Sequence, residues 1–166
     1  MKKLLFILLI TILVSQFANA QAKEILTIRK YREQNTNEII QEFTRFLAIP
    51  NVASDTANLN RNAALIVDMM RKRGIQNVQL LNATTPGVPP AVYGDVNTPG
   101  AKQTLVFYAH YDGQPVNPAQ WAKGLEPFDP KLFTATIDND GSNIPFPADN
   151  NYKPEWRIYS RSASDL

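Results

Sequence analysis

One histidine stands in this 166-residue chain, His110, and Asp112 follows it by two positions at the end of the apolar run Leu105–Ala109. In a strand or its immediate extension, residues i and i+2 project to the same face, so an imidazole and a carboxylate arrive side by side. Two readings suit such a pair. In the first, His110 ligates Zn²⁺ through one ring nitrogen while Asp112 accepts a hydrogen bond from the other, fixing tautomer and orientation. In the second, His110 is a hydrogen-bonded structural residue and Asp112 a turn residue. A further carboxylate, Asp165, follows the segment Ser160–Ser164 and offers another oxygen ligand. A zinc centre has four positions, three or more of them filled by protein, so His110 and Asp165 alone are an incomplete set.

Nucleophilic chemistry is the competitor. Ser160, Ser162 and Ser164 alternate with Arg161 and Ala163, but none sits in a Gly-x-Ser-x-Gly turn, and His110 is the single base available to all of them. The chain has no cysteine, which removes thiol chemistry. It also lacks a Gly-x-x-x-x-Gly-Lys-Ser/Thr phosphate loop and a dinucleotide fingerprint.

The elements that must position these residues are read from hydrophobic period. Ile39, Ile40, Phe43, Phe46 and Leu47 share one helical stripe, with Asn35-Thr36-Asn37 as capping residues ahead of it and Pro50 beyond its end. Ala63, Ile66, Val67 and Met70 repeat the pattern, and Gly74 stands where a left-handed helix terminus is wanted. The period then shortens through Val78 and Leu80, and Ala91–Val96 reads as a strand. Thr104–Ala109 is nearly continuously apolar, the pattern of a strand buried on both faces. Beyond Gly113 seven prolines fall within about forty residues, a loop-rich region in which Asp138–Gly141 is a plain turn and Arg157–Ser160 resumes a strand. Two helices followed by three strands point to an α/β fold, a central mixed sheet flanked by helices.

Met1–Ala20 has the form of a secretory leader: Lys2 and Lys3, an apolar run from Leu4 to Val14 broken by Thr11, then Ala18-Asn19-Ala20. The run is about half the length that crosses a membrane. Cleavage after Ala20 would leave residues 21–166 with 15 basic and 15 acidic side chains. A balanced chain gives no electrostatic case for nucleic acid or for a membrane surface. The expected location is secreted or periplasmic. Hydrophobic residues make up 44% of the chain, an ordinary share for a protein with a core.

From Phe46-Leu47-Ala48-Ile49-Pro50 through Leu105–Asp112, Pro115, Trp121, Pro127-Phe128-Asp129-Pro130 and Ile158–Asp165, the chain resembles the N-terminal part of the co-catalytic zinc metallopeptidases of the aminoacylase, carnosinase and glutamate carboxypeptidase type. The resemblance implies that His110 ligates one of two zinc ions, that Asp112 orients that imidazole as part of the catalytic apparatus, and that Asp165 bridges both metals. It further implies hydrolysis of a peptide or an N-acyl amino acid, with a glutamate as general base, and homodimerisation of the full-length protein. Two departures stand out: Ser162 occupies the position of the family's glycine, and Leu166 the position of a second aspartate. The glutamate pair and the later ligands have no counterpart, so the expectation is an N-terminal fragment, truncated after the bridging-aspartate motif and inactive by itself. The alternative is an exported, non-catalytic binding domain on the same scaffold.

Overall fold

In a computed structural model, the backbone is described for residues 2–164 and the side chains for residues 23–164. The chain divides into two units, one of Met1–Gln41 with Pro147–Tyr152, the other of Glu42–Phe146 with Lys153–Leu166.

Helix α1 runs Lys2–Leu47 without interruption. The triplet expected to cap a helix starting near Ile39 is therefore interior. Asn35 Nδ2 and Thr36 Oγ1 donate back to the carbonyls of Tyr31 and Arg32, each at 2.7 Å, as short polar side chains do inside a helix. The capping chemistry is spent across the unit instead: the Asn37 N–H donates to Asn150 Oδ1 at 2.8 Å, and Asn37 Nδ2 donates to the Ala148 carbonyl at 3.0 Å. Asn150 Nδ2 returns a bond to the Gln34 carbonyl at 2.8 Å.

In the second unit, α2 spans Thr56–Lys72. Asp55 caps it by accepting from the Asn58 N–H at 3.1 Å and from Asn58 Nδ2 at 2.6 Å; the side-chain bond first, and the backbone bond after it, hold its carboxyl below the usual carboxylate range. Its other end is a Schellman turn: the Gly74 N–H bonds the Arg71 carbonyl and the Ile75 N–H the Met70 carbonyl, with Gly74 at φ +72° as its position in the sequence predicts. Leu59, Ala63 and Val67 form the buried stripe, and Leu59 is essentially solvent-free. The helix packs on a hairpin of β1 (Gln76–Leu81) and β2 (Ala91–Asp95), paired antiparallel with a bulge between Gln76 and Gln79. A second antiparallel sheet has the order β4 (Asn143–Ile144), β3 (Lys131–Phe133), β5 (Arg157–Tyr159). Leu132 is its buried centre, and Phe133 meets Tyr159 edge-on at 5.1 Å. Helices with small antiparallel sheets are compatible with an α/β fold.

A second expectation is overturned. Thr104–Ala109 belongs to no strand, and Leu105, Val106, Phe107 and Tyr108 are between 78% and 91% exposed. A continuous apolar run signals a strand that needs neighbours on both sides. Neither small sheet extends to supply one.

Glu42, buried near the end of α1, forms a hydrogen-bonded ion pair with Arg73 at the end of α2. That bond, ahead of the opposing effect of burial, holds the Glu42 carboxyl below its ordinary value of 4.5. Because the folded pKa is depressed, the pair's stabilisation is complete above about 4.5 and is lost as pH falls through the folded value. Glu42→Gln is expected to destabilise the second unit by about 2 kcal/mol near neutrality, the worth of a charge-assisted bond. The deficit should shrink below pH 4, which urea titrations of both proteins across pH would reveal.

Candidate metal centre

His110 and Asp112 do meet, though not by strand geometry. The His110 Nδ1 lies 2.7 Å from the Asp112 backbone carbonyl and 3.2 Å from its Oδ1. Both oxygens are acceptors only, so Nδ1 carries the proton and donates to them. The neutral ring is thereby fixed as the Nδ1–H tautomer with its lone pair on Nε2, the state of a histidine that ligates through Nε2 with a carboxylate behind it. Both side chains are half exposed, at 49% and 52%. The fit to a metal ligand rests on this donor set. Among the described residues, no three His, Cys, Asp or Glu side chains stand together as a complete metal site. Asp165 lies outside the described residues.

The pair is held from both neighbours. Tyr111, between the two residues, donates its hydroxyl to the Pro90 carbonyl ahead of β2. Burial, and after it the Asp112 charge, raises the Tyr111 pKa, so the hydroxyl remains a donor across the ordinary pH range. On the other side, the Gly113 N–H donates to the Asn51 carbonyl at 2.6 Å, and the Gly113 carbonyl accepts from the Ala53 N–H at 2.9 Å. A one-residue parallel bridge, Val52 with Gly113, results. The loop that follows α1 is thus the seat of the His110–Asp112 segment.

The same loop grips the segment that leads to Asp165. Asn51 Nδ2 donates to Ser162 Oγ at 3.0 Å. Ser160 Oγ and the Arg161 N–H both donate to the Pro127 carbonyl, at 3.0 and 2.6 Å. Asn51 therefore fastens the two halves of the expected motif, by backbone to Gly113 and by side chain to Ser162. A lone Asn after Pro50 carries no signal of this in the sequence; its role follows from tertiary contacts. The serine reading loses ground, because Ser160 is buried with its hydroxyl engaged by Pro127.

Ser162 has φ +64°. This left-handed backbone costs an ordinary residue about 1 kcal/mol and glycine nothing, which gives a physical reason for a glycine at this position. Ser162→Ala should lose about 1 kcal/mol, since the bond from Asn51 goes and the strain stays. Ser162→Gly loses the bond but also the strain, so its urea midpoint is expected within about 0.5 kcal/mol of the parent. Equal destabilisation by both substitutions would contradict this.

Comparison with protein-family profiles returned no match, and no solved structure matches the chain. Among curated proteins the chain is similar to the Cys-Gly metallodipeptidase of Candida albicans, 32% identical over 95 residues, which are 50% of this chain and 20% of that protein. It is also similar to the Cys-Gly metallodipeptidase of Schizosaccharomyces pombe, 29% identical over 120 residues, 66% of this chain and 24% of that protein. Distant, partial homology supports a metallopeptidase family. At the same coarse level it supports peptidase-type hydrolysis. The matches span about a quarter or less of these relatives' own length.

Proposed function

We propose that the chain carries the N-terminal part of a zinc-dependent hydrolase that cleaves the amide bond of a small substrate, a dipeptide or an N-acyl amino acid. The observation that carries this reading is the His110–Asp112 pair, with Nδ1–H committed to Asp112 and the Nε2 lone pair left for a ligand bond. The similarity to two metallodipeptidases supports a metal as the cofactor. His110 would ligate through Nε2, Asp112 would hold the Nδ1 proton and the ring orientation, and Asp165 would bridge two zinc ions. The metal supplies Lewis acidity when bound. Tyr111 and Gly113 keep the pair from turning away by anchoring the backbone on either side of it. A general base is still required and is not identified among the described residues. On this reading the incomplete central sheet of a zinc-exopeptidase scaffold underlies the fold, the product is exported with its leader cleaved after Ala20, and the enzyme that carries this chain is a homodimer.

The test is hydrolysis of Cys-Gly and of N-acetyl amino acids by the protein as its genome encodes it. The expected activity is abolished by a chelator and restored by zinc. His110→Ala should lower it at least about 100-fold, since even the outer partners of metal ligands cost 10–100-fold. Full activity of His110→Ala, or hydrolysis indifferent to chelator, contradicts the proposal, and no hydrolysis at all is the outcome expected of an exported binding domain.

A further inference from the structure

Three buried polar atoms have no hydrogen-bond partner among the described residues: Asn51 Oδ1, Asn62 Oδ1 and Arg161 Nε. All three residues line one small cavity of about 10 Å³, whose apolar wall is Phe46, Leu47 and Ile49. Three orphaned groups around one void call for an occupant, because buried polar groups are almost always satisfied. Asn62 is 1% exposed on the core face of α2, and its Nδ2 is committed to the Pro50 and Asn58 carbonyls at 2.9 and 3.1 Å, which aims its Oδ1 elsewhere. Asn51 is 6% exposed with its Nδ2 committed to Ser162.

The chemistry of the wall selects the occupant. A cation is opposed by the Arg161 guanidinium, and an anion by two amide oxygens. Water alone offers two donors for those oxygens and a lone pair for the Nε–H, and about 10 Å³ holds one molecule. We propose that this cavity is a structural water site, the water donating to Asn51 Oδ1 and Asn62 Oδ1 and accepting from Arg161 Nε. It joins the loop after α1, helix α2 and the Ser160–Ser164 segment at one point, behind Gly113. A methyl group at Gly113 would stand 3.2 Å from Asn51 Oδ1 and 3.4 Å from Arg161 Nη2, so the glycine lets the loop close over this node. The site is independent of the metal reading and stands without it.

An atomic-resolution crystal structure of the full chain tests it. The expected result is an ordered water within hydrogen-bond distance of all three atoms. Asn62→Leu, which removes an acceptor and fills the space, should lose that water and lower Tm by about 5 °C or more. An empty cavity in the parent, a direct Arg161 Nε bond to either amide oxygen, or an unchanged Tm in Asn62→Leu would overturn the proposal. Should Asn62→Leu fail to fold, the parent structure alone decides.

Discussion

Replacing both Val106 and Phe107 with lysine is expected to leave the melting temperature of this chain nearly unchanged while abolishing its self-association. The side chains are 86% and 91% exposed, within a run of four apolar residues that no strand pairs. Substitutions at such positions move stability by about 0.5 kcal/mol or less. If Thr104–Ala109 were instead a strand buried on both faces, two lysines would enter the core unpaired and the chain would unfold, at a cost of several kcal/mol. The two architectures therefore predict opposite results from one thermal melt. An exposed window of consecutive β-branched and aromatic residues without charge is also a template for pairing with another copy. Sedimentation of the parent should show assembly that grows with concentration, and the double-lysine variant should stay monomeric over the same range. A parent that is monomeric throughout, or a variant that unfolds, would count against the exposed segment.

The second large effect concerns Asp112. Its removal by Asp112→Ala deletes the carboxylate at 3.2 Å from His110 Nδ1 but leaves the backbone carbonyl at 2.7 Å. The tautomer survives on the closer bond, while the carboxylate that helps hold the ring's orientation is gone. Loss of metal affinity should therefore fall near the low end of the 10–100-fold range for such partners, about tenfold. A loss approaching a hundredfold would mean that the carboxylate, rather than the carbonyl, is the principal orienter. Zinc titration of both proteins monitored at His110 gives the ratio directly, because the chain has no other histidine.

Helix α2 was legible in the sequence because two local signals agree: an apolar stripe through Ala63 and Val67 and a glycine at its left-handed end. Strands β2 and β5 were legible from short β-branched and aromatic runs between turn residues. The run Leu105–Tyr108 misleads because period and composition report what a segment would bury, not whether a neighbour is present to bury it. Asn35-Thr36-Asn37 misleads in a related way, since the side chains of capping residues are equally able to bond back along a helix or across to the Ala148 carbonyl. At the candidate site, residue types alone single out His110 and Asp112. Asn51 and Asn62 were illegible: each is a lone amide whose importance comes from partners at positions 113, 162, 50 and 58. An Asn three residues after Leu59 on a core stripe is the one available hint, because a buried amide must find partners.

The proposal that His110 ligates a metal in its Nδ1–H form is tested most directly by the ¹⁵N spectrum of its imidazole during zinc titration. Nδ1 is expected to stay protonated while the Nε2 resonance moves with added zinc. An imidazole that titrates with protons but is indifferent to zinc, or one that binds through Nδ1, would contradict it.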